Sequence, residues 1–380
     1  MEKIILKINI IYHHFPHYRA PVMRELVKSG VHEYRFWGAH KVHQGIEVFT
    51  GDELVKVNPI KFHARGGVWI IKGYWSAVFD KSADVLIVHG HPKMPASWFI
   101  GIVGRLTGKK ILYWAHGWLK KETWLKSKIR NLHHRLAHIT MTYAERAQDV
   151  AEASGFPRNK IVPIYNSLDW LAAKPILTSL KKEGQINVRK RLSIPSKTFR
   201  IICVARLTQK SRFDILIDAM ADTRFVGKEF EICLIGEGDQ KSALEKQAKD
   251  LGVNVSFLGA VYEEQRLGEQ IFASNLTVSP GKVGLSAMHS MMYGIPVISH
   301  NKLDNQMPEV EAIVEGVTGS LFDENSAKDL AKKIDYWMNP KIDWQKTSAE
   351  CVKMIETKYN PITQAKLINE TISSLLENNI

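Results

Sequence analysis

Residues 279–300, SPGKVGLSAMHSMMYGIPVISH, have the layout of a phosphate-binding turn. Pro280, Gly281 and Gly284 form a loop leading into an apolar helix, Gly294 closes that helix, and Pro296 opens a buried strand. A helix starting near Gly284 would offer the N–H groups of Gly284, Leu285 and Ser286 to an anion, and its dipole would add to the attraction. The plainer alternative is that the glycines only permit a tight turn. Between Lys282 and His300 there is no acidic residue, so this stretch supplies no carboxylate for proton transfer.

Other strands are followed by residues of equally definite chemistry. After the apolar run IICVA comes Arg206-Leu207-Thr208-Gln209-Lys210-Ser211-Arg212. Three cations in one loop suit a diphosphate, or are solvated loop charges. Gly236-Glu237-Gly238-Asp239 resembles the start of a dinucleotide fingerprint, but Lys241 stands where the third glycine belongs, and Asp239 reads as a helix N-cap. In the first half, histidines recur after strands: His13, His14 and His17 with Arg19, then His89 and His91 with Lys93, then His116 before Gly117. They come without carboxylates or cysteines at ligand spacing, so no metal site is expected. A histidine at a strand end is often only a packed or capping residue, but three such positions at one edge of a sheet favour a cleft.

The elements that must position these residues are short apolar runs alternating with helical segments. Strands are expected at 4–12, 33–38, 84–90, 110–117, 138–143, 160–166, 200–206, 230–236, 254–259, 275–280 and 296–300. Most are continuously apolar, as strands covered on both faces of a parallel sheet are. Helices are expected between them, for instance at 19–29, 143–154, 239–251, 263–273 and 327–338. The pattern is α/β. It lapses across 168–199, which is polar and basic and carries Pro175 and Pro195. The expected domains are therefore 1–170 and 196–357, joined by a linker at 171–195, with a last helix within 358–380.

The 380 residues favour two domains over one. No apolar run reaches the ~18–20 residues a membrane-spanning helix needs; Pro95–Gly104 is too short and is followed by Arg105. The start, with Lys3 and Lys7 inside its apolar stretch, reads as a strand and not as a signal peptide, so a cytoplasmic location is expected. Cys203, Cys233 and Cys351 form no framework. The net charge of +13 is compatible with phosphorylated substrates, an anionic membrane or nucleic acid. It concentrates at 117–135, where Lys120, Lys121, Lys126, Lys128 and Arg130 interleave with Trp118, Leu119, Trp124, Leu125 and Ile129. On a helix this makes a basic face beside an aromatic one, either an interfacial segment or a surface helix with its apolar stripe on the core.

Several segments, in order, resemble the family 4 retaining nucleotide-sugar glycosyltransferases: VPIYNSLD (162–169), VARLTQKSRFDILIDAM (204–220), LIGEGDQKSALEKQAKDLGVNVSFLGAV (234–261), VGLSAMHSMMYGIPVIS (283–299) and MPEVEAIVEGVTGSLF (307–322). The resemblance covers nearly the whole chain. It implies the GT-B fold, two facing Rossmann-like doubly wound parallel-sheet domains, the last helix crossing back to the N-terminal one. It implies an acceptor domain first, with His13, His14, His17, Arg19, His89 and His91 as acceptor-binding candidates, and a donor domain second. Arg206 matches the arginine that binds the donor diphosphate. The family's lysine position holds Ser211, flanked by Lys210 and Arg212, either of which could supply the charge. His116 matches a histidine near the donor sugar, and Glu309 matches the glutamate of the family's P-E motif. Gly236, Gly281, Val283, Gly284, Leu285, Ser286 and His289 complete the expected donor site.

One departure stands out. The family's paired glutamates, which contact the donor sugar and the ribose, align with Gly281 and His289. In the mechanism favoured for the family the departing phosphate accepts the acceptor's proton, so loss of both carboxylates need not abolish turnover. The expected activity is transfer of a sugar, with retention, from a nucleotide-diphosphate sugar to a saccharide, lipid-linked acceptor in bacterial surface polysaccharide synthesis. The expected place is the inner face of the plasma membrane. No cofactor, metal or nucleic-acid partner is expected. The alternatives are a non-catalytic GT-B protein that binds a nucleotide or glycan, and a sugar-nucleotide epimerase on the same fold.

Overall fold

The computed structural model describes residues 5–41 and 47–377. It divides into two compact units, Met1–Leu168 with Asn360–Ile380, and Asp169–Tyr359. Ile4 of the expected first strand and residues 378–380 of the expected last helix lie outside the described residues.

The first unit is built on an eight-stranded sheet of β1 (Lys7–Ile11), β2 (Glu33–Ala39), β3 (Val57–Arg65), β4 (Val68–Lys72), β5 (Val85–His89), β6 (Lys110–Trp114), β7 (Ile139–Thr142) and β8 (Ile161–Pro163). Their spatial order is β4-β3-β2-β1-β5-β6-β7-β8. All neighbours are parallel except β3 and β4. That antiparallel hairpin was not expected. Its turn is Gly66-Gly67, both in the left-handed region (φ 57° and 76°), as a two-residue hairpin turn requires. Strand β3 is mostly exposed and carries Pro59, so it lacks the apolar run that marks its buried neighbours. The core beneath the sheet contains Ile8, Ile10, Phe36, Ile87, Leu112, Trp114 and Tyr143.

The helix Pro361–Glu377 completes this core with Ala365, Ile368, Ile372 and Leu375. Tyr34 donates to Asn369 Oδ1 and Ser167 to Gln364 Oε1, at 2.5 and 2.7 Å, fixing the returning helix on the first unit.

The second unit holds a wholly parallel sheet of β9 (Phe199–Val204), β10 (Phe230–Ile235), β11 (Val255–Gly259), β12 (Leu276–Ser279), β13 (Val297–His300) and β14 (Gly319–Phe322), ordered β11-β10-β9-β12-β13-β14. The expected linker corrects to two helices of this unit, Trp170–Glu183 and Gln185–Arg191. Asp169 caps the first by accepting from the Ala172 amide, and Trp170, Ala173, Leu177 and Leu180 recur on one buried face. Pro175 is accommodated inside that helix, where the sequence suggested a break.

In each sheet the strand order reverses once, between β1 and β5 and between β9 and β12. Chain leaving adjacent strands there runs to opposite sides, opening a crevice at their carboxyl ends. The loops after those four strands carry most of the chemistry singled out above.

Candidate active site

In the second unit, three loops are laced together beyond β9, β10 and β12. The Leu207 amide donates to Glu237 O (3.0 Å), the Gln240 amide to Leu207 O (2.9 Å), and the Gly281 amide to Ser211 O (3.1 Å). Side chains would not fit at the contacts: a Cβ on Gly281 would lie 2.1 Å from Lys210 O, and one on Gly236 2.0 Å from Ala205 O. Gly281 is thus a steric requirement of the cationic loop packed on it, which accounts for the lack of a larger residue there. The N-cap of the helix Lys241–Leu251 is Gln240, one residue beyond the expected Asp239.

The cations divide. Arg206 and Lys210 are exposed, and Lys210 makes no ion pair among the described residues. Arg212 adopts a left-handed backbone (φ 54°) and turns its guanidinium to Asp214 at 3.1 Å and to Asn325. Arg212 is thereby engaged in holding its own loop.

The helix of the glycine turn runs Leu285–Met292 with Gly284 as N-cap and no acid in its first turn. Gly284 has open space where a Cβ would lie, and Gly284, Leu285 and Ser286 are partly exposed. Val283, expected in the donor site, lies under the turn. Its side chain is buried and its amide donates to Gln306 Oε1 at 2.9 Å. Gln306 Nε2 donates to Ser299 Oγ (2.8 Å) and His300 O (2.9 Å), while Ser299 Oγ donates to Ser279 O (2.8 Å). Gln306, which no sequence motif singles out, anchors the turn from beneath. Glu309 is buried in a 3-10 turn, Pro308–Ala312.

A carboxylate from another helix reaches His289. Glu264, at the start of the helix Glu264–Phe272, accepts from Tyr293 Oη at 2.6 Å and lies 2.9 Å from His289 Nε2. Burial opposes its ionisation, but the hydrogen bonds from His289 and Tyr293 prevail and hold its carboxyl below the usual range. Burial and the Glu264 charge push the Tyr293 phenol up. No spacing rule links Glu264 to a histidine 25 residues later.

In the first unit, the loops after β1 and β5 bring imidazoles together. The His13 ring lies 4.1 Å from His14 and 4.4 Å from His89, which lies 4.3 Å from Tyr12 and 5.9 Å from His91. Trp69, from the unexpected hairpin, stacks on His91 at 4.5 Å. His17 points away, exposed, with its ring against Tyr18. Burial, with Arg19 and His91 nearby, brings His116 down to about 4, and burial, with Arg130 and Lys93, does the same for His91. Burial and the neighbouring imidazoles push His89 well below its ordinary value. At neutral pH His89, His91 and His116 are uncharged hydrogen-bonding groups. Among the described residues, no three or more His, Cys, Asp or Glu side chains are arranged to hold a metal ion.

The basic helix spans Trp124–His134, shorter than the stretch expected. Trp124 (74% exposed), Leu125, Ile129 and Leu132 face outward beside exposed Lys126 and Lys128, while Asn131, His133 and His134 face the core. Trp118 departs from the expected face: it is buried, donates to Asn131 Oδ1 at 2.9 Å and packs on Phe156. No helix among the described residues is long and apolar enough to cross a membrane.

Two doubly wound parallel-sheet units, the last helix of the chain packed on the first, make this a GT-B fold. More particularly, residues 185–359 match the family described as glycosyl transferases group 1. The chain resembles a GDP-mannose-dependent monoacylated alpha-(1-6)-phosphatidylinositol monomannoside mannosyltransferase of Corynebacterium glutamicum, 26% identical over 152 residues, 37% of this chain and 40% of the relative. It spans less than half the length of the curated relatives it matches. Among solved structures, Anabaena Alr3699/HepE in complex with UDP superposes with a TM-score of 0.69 at 17% identity, covering 98% of this chain and 100% of the other. The lipopolysaccharide outer core galactosyltransferase WaaB in its apo form gives 0.67 at 16% identity, covering 97% and 99%.

Proposed function

We propose that the protein is a retaining glycosyltransferase of family 4, taking a sugar from a nucleotide-diphosphate donor and placing it on a saccharide acceptor. The observation that carries this reading is the assembly at the β9/β12 reversal: exposed Arg206 and Lys210 beside a glycine turn and a helix N-terminus. Cations and oriented N–H groups stabilise the charge that develops on a departing diphosphate. That assembly lies within the stretch matched to the glycosyltransferase family. UDP bound in the Anabaena protein of the same fold supports a nucleotide-sugar donor.

In the proposed reaction the bond from the sugar's anomeric carbon to the diphosphate breaks while the acceptor hydroxyl bonds to that carbon on the same face. The hydroxyl proton passes to the leaving diphosphate, so no protein carboxylate has to take it. Arg206 and Lys210 supply positive charge at the diphosphate, which is the ground for proposing turnover without a metal. His289, steadied by Glu264, is assigned to a ribose hydroxyl, Glu309 to the donor sugar, and His116 to a sugar hydroxyl as a neutral donor. The acceptor side falls to the first unit's imidazole cluster with Arg19.

A lipid-linked acceptor at the inner membrane face fits the outward apolar and basic residues of the helix Trp124–His134, since an anionic leaflet attracts each nearby Lys or Arg by about 1 kcal/mol. Surface polysaccharide assembly is the corresponding role, and the names of the mannosyltransferase and galactosyltransferase relatives support it. The direct test is a thermal-shift and turnover screen with UDP, GDP, dTDP, CMP and their sugars. One nucleotide should raise the melting temperature in a concentration-dependent way, and its sugar conjugate should be consumed. Binding without consumption of any donor would leave a binding protein. Pelleting with anionic vesicles at low salt, weakened by Lys126→Ala and Lys128→Ala, tests the membrane assignment.

A further inference from the structure

Arg19 is 5% exposed, and a buried charge without compensation is costly. Its guanidinium lies against three aromatic rings, 4.7 Å from Trp114 and 5.2 Å from both Tyr12 and Tyr143. Nη2 donates to the Tyr143 hydroxyl, while Nε and Nη1 have no hydrogen-bond partner among the described residues. The charged groups and phenols facing it are Tyr12, Tyr18, Tyr143, His89 and His116, with no carboxylate among them. Arg19 is also the N-cap of the helix Ala20–Lys28, whose first turn has no acidic residue. The Arg19 backbone thus enters the helix at the positive end of its dipole, with no carboxylate in that turn to offset it.

Among the described residues, two more buried polar atoms close by lack partners: Trp114 Nε1, on the ring that Arg19 covers, and His89 Nδ1, whose ring stacks on Tyr12. Buried donors are nearly always paired, so several orphans around one uncompensated guanidinium call for a common acceptor. Aromatic faces offset part of the cost of burying the charge but accept none of these N–H groups. Tyr18 and His116, which both bear on Arg19, are partly exposed, so the guanidinium lies one side chain in from the surface.

We propose that Arg19 and the Trp114 indole form a receptor for a phosphate group carried by the acceptor. A phosphate offers several oxygens to the guanidinium fork and supplies the missing countercharge. The inference rests on the glycosyltransferase reading for the word acceptor; the receptor itself rests on the first unit alone. Its phosphate can come from a prenyl diphosphate carrier or from a soluble sugar phosphate.

The test is calorimetric titration of the whole chain, with UDP present to occupy nucleotide-binding sites and Arg206→Ala as a second background. The probes are inorganic phosphate, glucose 1-phosphate and farnesyl diphosphate. Arg19→Gln should weaken phosphate binding at least about tenfold, as loss of a charge-assisted pair does, and Tyr143→Phe should weaken it less. Tighter binding of farnesyl diphosphate assigns a lipid source and tighter binding of glucose 1-phosphate a soluble one. In phosphate-free buffer Arg19→Gln should melt no lower than wild type, because it removes an uncompensated charge. Unchanged phosphate affinity in both variants, or no binding of any probe by wild type, overturns the receptor. UDP binding and donor consumption report on the glycosyltransferase reading separately, so either can fail without the other.

Discussion

Beyond β9 and β12 the second unit presents exposed cations on loops held in close backbone contact at Gly281 and Gly236. Beyond β1 and β5 the first unit presents imidazoles stacked on tyrosine and tryptophan, with the Arg19 guanidinium buried. Both places are reversals of strand order in a parallel sheet. The architecture therefore decides where a ligand can be held, and the loop residues decide which charge it carries. Permanent charge at the surface suits a group whose negative charge grows during reaction. Neutral rings suit hydroxyl-rich ligands, to which they donate or accept without paying to strip water from an ion.

The comparison is broken most directly at Arg206. Arg206→Ala should cut turnover by roughly 10²-fold if it stabilises the leaving diphosphate, while thermal stability stays near wild type. Near-normal kinetics would remove the second unit's claim to the reacting phosphate. The two flanking cations should then separate. Lys210→Ala should lower turnover about tenfold, since its ammonium has no ion pair to preserve, whereas Arg212→Ala should mainly lower the melting temperature by releasing Asp214 and Asn325. A large kinetic loss confined to Arg212→Ala would reverse that assignment.

Gly281→Ala tests whether the loops of the second unit are as tightly laced as their contacts imply. The new methyl must displace Lys210 O, and urea unfolding should show a loss of about 1–3 kcal/mol together with weaker nucleotide binding. An unaltered midpoint would mean that the loops part easily.

The smallest effect belongs to the first unit and to pH. His91 and His116 are held neutral down to about 4, whereas an unfolded histidine titrates near 6.5. Folded-state values below unfolded ones give stability that is complete above about pH 6.5 and declines as pH falls towards about 4, because the unfolded chain takes up protons first. Melting temperature should fall modestly from pH 7 to pH 5, and hydrogen exchange should show the strands around β1 and β5 loosening before those around β9 and β12. A flat profile would show that the imidazoles are not held neutral.

Most of this arrangement can be read in the chain before any coordinate is known. Strands covered on both faces, such as Val85–Val88 of β5 and Ile201–Cys203 of β9, must be apolar throughout, and that pattern admits few other readings. Strand β3, exposed along much of its length, escapes the rule although its Gly-Gly turn was a usable signal. The helix Trp170–Glu183 was hidden by Pro175 and by a lysine-rich surface, while its Asp169 cap and buried spacing were there to be found. The cations and glycines of the second unit's loops are local features and so were legible. Glu264 and Gln306 act across the sheet on residues far from them in sequence, and no local pattern records such a meeting. The same limit hid the state of Arg19, whose lack of a counter-ion depends on everything folded around it.

The helix Pro361–Glu377 belongs to the first unit's core although the whole second unit precedes it in the chain. During synthesis, domains otherwise tend to fold as they emerge, the N-terminal one first. Here the second unit can be complete while the first still exposes the apolar surface awaiting Ile368 and Ile372. The first unit's core therefore cannot close before the helix Pro361–Glu377 has been made, so a chain cut short of that helix would leave this apolar surface uncovered.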